Sequence, residues 1–229
     1  MKIVVLTGAG VSAESGISTF RDADGLWEGH DVMEVATPQG WAKNQELVLK
    51  FYNDRRRQLK EVVPNVAHYA IKKLEQRHEV VIITQNVDNL HERAGSSNII
   101  HLHGELDKVR CTRNPTDVKL WTEDLKMGDL SDTGYQLRPH IVWFGEAVPM
   151  LDSAVNEMRN AEVAIIIGTS MQVYPAASLI DFVHDHCHIY YVDPKPHISP
   201  ELKSSTNLTI IEKKASEGVI ELVNELLAL

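Results

Sequence analysis

Short apolar runs recur along the chain, and segments with helical patterning lie between them. The apolar runs are Ile3–Leu6, Val80–Thr84, Val163–Ile167 and Ile189–Val192, all rich in β-branched residues. Continuous apolar runs are typical of parallel strands that are covered on both faces. The amphipathic segments are Glu46–Leu59, Asn65–Gln76 and Ser216–Leu229. Strands that alternate with helices in this way predict an α/β fold with a doubly wound parallel sheet.

One region breaks this alternation. Residues 105–138 are polar and follow neither a helical nor a strand period. We interpret them as a small inserted module with a loose or short-stranded structure. The whole chain has 229 residues, which suits one large domain with such an insertion and allows a sizeable buried core.

Composition and charge exclude several classes of protein. The net charge is −9, which disfavours general binding to nucleic acid because the backbone phosphates would repel the chain. Cys111 and Cys187 lie far apart and outside any CxxC pattern, so we expect no disulfide framework and a reducing compartment. We see no signal peptide, and the longest apolar run is too short to span a bilayer. We therefore expect a soluble, cytoplasmic and monomeric protein without membrane contact.

A glycine-rich turn follows the first predicted strand. Gly8, Ala9 and Gly10, together with Ala13, satisfy the G-x-G-x-x-G/A pattern of Rossmann-like folds. Glycines at such a turn let the backbone approach a pyrophosphate, and the N-terminus of the next helix attracts its negative charge. The following residues 14–29 are rich in Gly and Asp, and they do not form the second strand with a terminal acid that a dehydrogenase requires. The pattern therefore favours dinucleotide binding over hydride transfer.

The loop after this turn carries three side chains that could cover a bound cofactor. They are Phe20, Arg21 and Trp27. Alternatively, Phe20 and Trp27 only anchor the loop against the rest of the protein.

Polar or small residues follow the predicted strands at their carboxyl ends, which is the edge where doubly wound folds bind ligands. Gln85, Asn86 and Asp88 follow the second strand, and Asn86 and Asp88 can contact an amide-bearing ring and a ribose. Asp88 could instead cap the next helix. The small residues 168–170 follow the third strand and leave room for a cofactor.

Two histidines follow another apolar run, at residues 98–100. In an extended chain His101 and His103 point to the same side. A neutral imidazole near pH 7 can accept a proton from a ribose hydroxyl, so either histidine is a candidate base.

Five stretches of the sequence together resemble the sirtuins. In chain order they are "GAGVSAESGISTFRDADGLW" (8–27), "TQNVDNLHERAG" (84–95), "HLHGELDKVRC" (101–111), "RPHIVWFGE" (138–146) and "GTSMQVYPAA" (168–177). The resemblance covers essentially the whole chain. It implies an NAD-dependent protein deacylase that acts on acylated-lysine proteins and yields nicotinamide and 2′-O-acyl-ADP-ribose. It also implies one catalytic domain, with a large Rossmann-like part at 1–33, 78–104 and 139–229, a helical insertion at about 34–77 and a degenerate zinc-type module at 105–138.

The resemblance implies roles for individual residues. NAD would be bound by Gly8, Ala9, Gly10, Ser12, Phe20, Arg21, Trp27, Gln85, Asn86, Val87, Asp88, Gly168, Thr169, Ser170, Asp193, Pro194, Lys195 and Ala215. His103 would be the general base, and His101 would have a structural role. Asn86 and Asp88 would surround the nicotinamide end and share in catalysis. Asp193 departs from the family, which usually has Asn there, but a carboxylate suits two ribose hydroxyls.

The helix predicted at residues 46–59 carries a clue to the acyl group. Its apolar stripe contains Val48, Phe51 or Tyr52, Arg55 and Leu59, whereas Arg56 and Arg57 are predicted to face solvent. Arg55 lies three residues from Tyr52, so both side chains can converge. A charge on an apolar face needs a partner, which is either a protein carboxylate or a carboxylate on the substrate. The Tyr-x-x-Arg pattern resembles the sirtuin branch that removes succinyl and malonyl as well as acetyl groups, and Ala36 matches a small residue that widens the acyl pocket there.

The segment "HIVWFGE" (140–146) is predicted to be an exposed strand to which a substrate peptide adds by β-augmentation. Val142, Trp143 and Gly145 are the expected backbone contacts. Main-chain hydrogen bonds do not read side chains, so we expect weak specificity for the sequence that flanks the acylated lysine.

Sirtuins usually carry a structural zinc ion on four cysteines, and this sequence lacks them. Cys111 is the only cysteine between residues 105 and 138, and no histidine lies from 104 to 139. Aspartates of this region are poor substitutes for thiolates, so we predict no zinc and no metal ligands. Packing would instead hold the module through Leu120, Trp121, Leu125 and Leu130. The stretch "HDHCHIYYV" (184–192) also looks metal-like, but we interpret it as an exposed helix-to-strand junction.

Three alternative functions would use the same NAD site. An NAD-dependent protein ADP-ribosyltransferase would share the predicted binding residues. A Rossmann oxidoreductase lacks the second-strand acid and an evident site for a hydride acceptor. A non-catalytic NAD sensor is disfavoured because the candidate base and both amide residues are present.

Overall fold

The computed structural model describes residues 1–18, 26–27, 29–199, 202–203 and 205–228. The strands are β1 (Lys2–Thr7), β2 (Leu26–Trp27), β3 (His30–Asp31), β4 (Glu79–Thr84), β5 (Ile99–His101), β6 (Gly104–Cys111), β7 (Val118–Leu120), β8 (Leu137–Ile141), β9 (Val163–Ile167), β10 (His188–Val192) and β11 (Leu208–Ile211). The helices are α1 (Ala9–Ala13), α2 (Val32–Val35), α3 (Pro38–Lys43), α4 (Gln45–Glu61), α5 (Val66–Leu74), α6 (Leu90–Arg93), α7 (Leu151–Arg159) and α8 (Ala215–Ala228), and a 3-10 helix covers Ala176–Phe182. Within these residues, no helix is long and apolar enough to cross a bilayer.

The main sheet confirms the predicted doubly wound α/β fold. Among the described residues, six parallel strands lie in the order β11-β10-β9-β1-β4-β5. The four predicted strands agree with β1, β4, β9 and β10 to within one residue at each end. The strands that follow β1 in the chain lie first on one side of it (β4 and β5) and then on the other (β9, β10 and β11). The strand order therefore reverses at β1, and doubly wound folds bind ligands at such a switch point.

Both faces of the main sheet are buried, as the continuous apolar runs predict. Ile3 and Val5 pack with α5 and α8 on one face. Val4 and Leu6 pack with α7 and the 3-10 helix on the other. Alternate residues of each strand therefore contact opposite helical layers. Lys2 and Glu79 begin β1 and β4, and after them these strands are apolar until they reach their carboxyl ends.

The three predicted helices are present as α4, α5 and α8. One of them, α5, does not pack with the rest of the helical insertion predicted at 34–77. Helix α5 buries Ala67, Ala70, Ile71 and Leu74 against the main sheet, together with α8. Helices α2, α3 and α4 pack instead with the small part of the protein. The segment 34–77 is therefore divided at residues 62–65, because α5 carries an apolar face that fits the main sheet.

Residues 104–141 form a small antiparallel sheet in the order β7-β6-β8, and this is the short-stranded module that the sequence predicts. The module packs against α4 through Leu106, Val109, Leu125 and Leu137, all of which are almost fully buried. Its predicted packing residues were only partly right. Leu125 is buried and Trp121 is partly buried, but Leu120 and Leu130 are 69% and 53% exposed. Leu120 lies on the short edge strand β7, whose three residues are exposed or only partly buried.

Polar side chains of α4 tie the helix to this small sheet. The Asn53 amide donates to the Leu125 carbonyl at 2.9 Å and accepts from the Leu125 N–H at 2.9 Å. Arg56 donates to the Leu106 carbonyl at 3.0 Å and to the Asn53 side-chain oxygen at 2.7 Å. The prediction that Arg56 faces solvent was wrong, because the small sheet covers that side of the helix and leaves this side chain 2% exposed. Burial lowers the pKa of Arg56 to about 10.

Candidate active site

A cavity of about 1090 Å³ lies at the carboxyl ends of the central strands, between the main sheet and the small part of the protein. Every predicted cofactor or substrate residue that the structure describes lines it. These residues are Gly8, Ala9, Gly10, Ser12, Trp27, Ala36, Tyr52, Arg55, Gln85, Asn86, Val87, Asp88, His103, Val142, Trp143, Gly145, Gly168, Thr169, Ser170, Asp193, Pro194, Lys195 and Ala215. The predicted cofactor residues Phe20 and Arg21 lie outside the described residues. The volume is at the upper end of the range for small-molecule sites, which is roughly 300–1,000 Å³.

The glycine turn after β1 is packed against the turn after β9. A side chain at Gly10 would place its Cβ 2.6 Å from the Cα of Gly168, and one at Gly8 would lie 2.7 Å from the Thr169 Cβ. The Gly10 N–H also donates to the Gly168 carbonyl at 2.8 Å. The glycines at this turn are therefore required by the close approach of two protein backbones, in addition to any approach of a phosphate.

Asn86, Asp88 and Ser12 form one buried hydrogen-bonded group at the end of β4. The Asn86 amide donates to the Gly8 carbonyl at 3.1 Å and to the Ser12 hydroxyl at 3.2 Å. Ser12 in turn donates to one Asp88 oxygen at 2.9 Å, and the Leu90 N–H donates to the other at 3.1 Å. One Asp88 oxygen therefore binds the first residue of the next helix, as the capping alternative suggests. The other oxygen accepts the hydrogen bond from Ser12, which lines the cavity. Burial raises the pKa of Asp88, although both hydrogen bonds act in the opposite direction.

The two histidines of the "HLHGE" stretch have different environments. His103 lines the cavity, and its Nδ1 lies 3.0 Å from the Gln85 carbonyl oxygen. A carbonyl only accepts, so Nδ1 carries the hydrogen and Nε2 keeps a lone pair. Burial lowers the pKa of His103, and the bond to Gln85 offsets this effect only in part. His103 is therefore a neutral imidazole with a free basic nitrogen near pH 7.

His101 is bound at both ring nitrogens. Its Nδ1 lies 3.2 Å from the Asn86 carbonyl oxygen, and its Nε2 lies 2.6 Å from a Glu92 oxygen. Burial disfavours a charge on this ring, but the contact with Glu92 outweighs burial and raises the pKa of His101. His101 does not line the cavity and instead connects the Asn86 segment to helix α6.

Glycine is required directly after His103. Gly104 has a φ of +82°, and a Cβ built there would lie 2.0 Å from the His140 carbonyl oxygen. Any larger residue would push the start of β6 away from β8. The glycine therefore holds the His103 backbone against the neighbouring strand, where the Val142 N–H donates to the His103 carbonyl at 2.9 Å.

The end of the cavity beneath α4 contains the predicted acyl-pocket residues. The Trp143 indole N–H donates to the Tyr52 hydroxyl at 3.0 Å, and both side chains are almost fully buried. The Arg55 guanidinium lies over the Phe51 ring, 4.7 Å from its centre. Trp27 packs edge-on against Phe51 at a centroid distance of 5.1 Å, so it both anchors its segment and lines the cavity.

The segment after β8 was predicted to be an exposed strand over residues 140–146, and this was wrong beyond Ile141. The strand ends at that residue, and a turn with Gly145 at a φ of +88° follows. The amide N–H groups of Val142, Trp143 and Phe144 already donate to His103, Glu146 and Ala36 respectively. A peptide strand that pairs here would therefore have to use backbone groups other than these three donors.

Glu146 was missed as a functional residue by the sequence analysis. Its carboxylate accepts hydrogen bonds from Arg110, Arg138 and the Trp143 N–H, at distances between 2.8 and 3.1 Å. The Arg138 guanidinium also lies 3.3 Å from the centre of the Trp143 ring. This buried ion group fixes the Trp143 side chain, and with it the Tyr52 hydroxyl. The only sequence signal was the last letter of the "VWFGE" motif.

The chemistry of the cavity suits NAD. The Gln85 side chain, the Ser170 hydroxyl and the Asp193 carboxylate are hydrogen-bonding groups that a nucleotide's ribose and amide groups can use. Gln85 is oriented by its bond to the Thr169 hydroxyl at 3.0 Å, and the Asp193 carboxylate accepts from the Lys195 N–H at 2.8 Å. The turn at Gly8–Gly10 lines the cavity, and the N–H groups of Gly8 and Gly10 already donate to the Ile167 and Gly168 carbonyls at 3.0 and 2.8 Å. A pyrophosphate at this turn would therefore have to use other backbone donors.

The small sheet does not fit a structural zinc ion. Cys111 is buried, and its sulfur interacts with the hydroxyls of Ser131 and Thr133, the latter at 4.0 Å, and with the backbone N–H groups of Arg113 and Asn114. Among the described residues, no group of three histidine, cysteine or acidic side chains is close enough around Cys111 to hold a metal. Hydrogen bonds and packing, rather than thiolate ligands, therefore support this module.

We expect the Asn53 contacts, and not a metal, to carry the stability of the small sheet. Asn53→Ala should lower the free energy of unfolding by about 2–4 kcal/mol, because it leaves the Leu125 backbone groups and one Arg56 nitrogen without their partners in a buried site. Urea denaturation of the protein after dialysis against EDTA measures this change, so that no bound metal contributes to the midpoint. Asn160→Ala, at an exposed helix end, is the matched control with an effect below about 0.5 kcal/mol. An unchanged urea midpoint in Asn53→Ala would contradict this prediction.

Comparison with known proteins agrees with this site. A profile of the Sir2 family matches residues 8–175 of the chain. A protein of Helicobacter pylori (strain ATCC 700392 / 26695) named NAD-dependent protein deacylase is 63% identical over 193 residues, which is 84% of each chain. A Sir2 homologue solved in complex with NAD has a TM-score of 0.88 and 43% identity, over 99% of this chain and 90% of that one. A Sir2 protein bound to acetylated peptide has a TM-score of 0.78 and 28% identity, over 99% and 92% of the two chains. The chain therefore belongs to the Sir2 family of NAD-dependent protein deacylases.

Proposed function

We propose that this protein removes succinyl, malonyl and acetyl groups from protein lysines in an NAD-dependent reaction. The products are free lysine, nicotinamide and 2′-O-acyl-ADP-ribose. The site residues predicted from the sequence keep their roles in this proposal, with His103 as the base and with Asn86 and Asp88 around the nicotinamide end. The neighbour that binds an acetylated peptide supports acylated lysine as the substrate class.

The observation that carries the acyl specificity is the orientation of the Tyr52 hydroxyl. Trp143 Nε1 can only donate, so the Tyr52 oxygen is the acceptor in their 3.0 Å hydrogen bond. Tyr52 therefore keeps its own hydrogen to donate elsewhere. Arg55 lines the same part of the cavity and can only donate as well. A hydroxyl hydrogen and a guanidinium that line the same part of the cavity suit a ligand that brings acceptors, and a carboxylate at the end of a succinyl or malonyl group is such a ligand.

The pocket around these donors also has room for the acyl chain. Ala36 is buried and lines the cavity, and a larger residue there would reduce the space beside Tyr52 and Trp143. The aromatic walls are apolar, so a methyl group is accommodated too. Acetyl groups can therefore be removed without use of the Arg55 contact.

His103 is the group on this chain that can accept a proton during the reaction. NAD supplies the electrophilic ribose carbon and a leaving nicotinamide when it is bound. The Gln85 carbonyl fixes the His103 ring so that Nε2, the basic nitrogen, is free for a ribose hydroxyl. Asn86 and Asp88 are held by Gly8 and Ser12, and this rigid arrangement positions the reacting end of the cofactor.

The pH dependence of kcat/KM should follow the pKa of His103. A general base works in its neutral form, and burial lowers the pKa of this histidine below its usual value of about 6.5. Activity should therefore fall at low pH with the slope of one proton, and the midpoint of that fall should lie below about pH 6.5. A pH–rate profile with an acetyl-lysine peptide measures this. An acidic limb with its midpoint above pH 7 would contradict the assignment.

A panel of acyl-lysine peptides, incubated with the protein and NAD and followed by mass spectrometry, tests the proposed function. Succinyl-, malonyl- and acetyl-lysine should all be converted to lysine, each with formation of the matching acyl-ADP-ribose. Turnover of acetyl-lysine alone would reject the acidic-acyl specificity and leave the deacylase reaction in place. Transfer of ADP-ribose from labelled NAD to protein, without loss of an acyl group, would support the transferase alternative instead.

A further inference from the structure

Three side chains close to one another and outside the cavity have no part in the proposed reaction. Glu92 lies on α6, His101 ends β5 and Glu105 lies on β6. One potential ligand atom from each lies within 4.8 Å of the other two. We propose that Glu92, His101 and Glu105 form a binding site for one divalent transition-metal ion of the Zn²⁺ type.

The hydrogen-bond pattern of His101 shows that a positive charge belongs at this position. Its Nδ1 donates to the Asn86 carbonyl, which can only accept, so a neutral ring has a lone pair at Nε2. That lone pair would face a Glu92 oxygen at 2.6 Å, and two electron-rich atoms at this distance repel each other. A proton between them removes the repulsion. A metal ion does so as well, because it accepts the lone pairs of the imidazole and of the carboxylate together.

The surroundings of His101 match those of histidines that ligate metals. Such histidines generally donate their second ring N–H to a backbone carbonyl or a carboxylate, which fixes the ring and its tautomer. The Asn86 carbonyl already provides this contact at 3.2 Å. The His101 side chain is 9% exposed, whereas Glu92 is 39% exposed, so the ring is held in place while an ion can enter from the solvent side.

The ligand set favours a transition metal over Mg²⁺ or Ca²⁺. Zn²⁺ binds imidazole nitrogen and carboxylate oxygen at about 2.0–2.2 Å, which places tetrahedral ligand atoms roughly 3.4 Å apart. The three protein atoms reach this spacing if the Glu92 and Glu105 side chains rotate slightly, and water completes the coordination. Mg²⁺ and Ca²⁺ prefer ligand sets made of oxygen alone.

A neighbouring lysine forms an ion pair with one of the three proposed ligands. Its substitution should therefore change the affinity for the metal in the opposite direction to the loss of a ligand. Lys108 Nζ lies 2.6 Å from a Glu105 oxygen. An ion that binds Glu105 must displace this ammonium group or share the carboxylate with it. Removal of Lys108 should therefore strengthen metal binding, whereas a surface network built only of ion pairs would be indifferent to added metal.

The test is calorimetric titration of the full chain with Zn²⁺ alone, after dialysis against EDTA and without NAD. The background is His184→Ala/His186→Ala, which removes an exposed pair of stacked histidines that could bind Zn²⁺ weakly. On this background we expect one equivalent of Zn²⁺ per chain. Glu105→Gln should weaken binding by about tenfold or more, and Lys108→Met should strengthen it. Lys119→Met, which removes a lysine of similar exposure from an ion pair with Asp132, is the control and should change nothing.

Imidazole ¹⁵N NMR gives a second readout that does not depend on affinity. The Nε2 resonance of His101 should move on addition of Zn²⁺, and its Nδ1 resonance should keep the signature of a protonated nitrogen. The proposal is overturned if the background variant binds no Zn²⁺, or if Glu105→Gln and Lys108→Met both bind it as the background does. It is also overturned if the metal moves no His101 resonance. None of these outcomes bears on deacylation, so failure here leaves the proposed function untouched.

Discussion

His103→Asn should lower kcat/KM for deacylation by about 10²–10⁴-fold, which is the range for loss of a general base. An asparagine side chain can still donate to the Gln85 carbonyl, where His103 donates now at 3.0 Å. It cannot accept a proton near pH 7, so the ribose hydroxyl would have no base. The Gly8–Gly10 turn, Gln85 and Asp193 remain in place, and calorimetric titration should therefore show that NAD still binds.

The control for this variant is His140→Asn. His140 lies on β8 next to the backbone of Gly104, but it does not line the cavity. The His140→Asn variant should retain the wild-type rate with every acyl-lysine peptide. Retained turnover in His103→Asn would overturn the assignment of the base, whereas loss of NAD binding in that variant would show that the imidazole also supports the cofactor.

Arg55→Met should lower kcat/KM for succinyl-lysine by about 10–150-fold relative to acetyl-lysine. Hydrogen bonds to a charged group contribute about 1.5–3 kcal/mol, and a methionine keeps the apolar contact with Phe51 while it removes both the charge and the donors. Acetyl-lysine has no carboxylate, so its turnover does not depend on the guanidinium in this way. Competition between the two peptides in one reaction, followed by mass spectrometry, measures the ratio directly.

Arg57→Met is the matched control on the same helix. Arg57 is exposed and forms ion pairs with Asp54 and Asp124, away from the cavity. The Arg57→Met substitution should leave the ratio of succinyl-lysine to acetyl-lysine turnover unchanged. Adding Tyr52→Phe to Arg55→Met completes a double-mutant cycle, and a coupling between the two positions is expected only with an acidic acyl group. An unchanged ratio in Arg55→Met would reject the acidic-acyl assignment.

The location of the candidate site follows from the strand pattern almost directly. Residues that follow β1, β4, β9 and β10 in the sequence are far apart along the chain, yet they line one cavity. Parallel strands end at the same edge of a sheet, so polar residues after each apolar run must converge there. The pattern contained this information because each strand is continuously apolar and each is followed by an abrupt change to polar or small residues.

The packing of the small part of the protein was harder to predict from the sequence. Arg55 and Arg56 are neighbours on α4, and a helical stripe taken alone puts Arg56 towards solvent. The structure buries Arg56 because Leu106 and Leu125, which are at least 50 residues further along the chain, cover a second side of the helix. Helical periodicity reports one buried face, and it cannot report a second layer formed by distant residues.

Sequence patterns alone were enough to predict the α/β fold, four strands of the main sheet, many of the residues that line the cavity and the family to which the chain belongs. These depend on apolar periodicity and on short motifs, both of which are local properties. Only the tertiary structure decided which ring nitrogen of His103 is free, that Trp143 leaves Tyr52 as a donor, and that Glu92 and Glu105 lie beside His101. Each of these depends on hydrogen-bond partners that the fold brings together from separate elements, and a partner of that kind leaves no periodic signal in the chain.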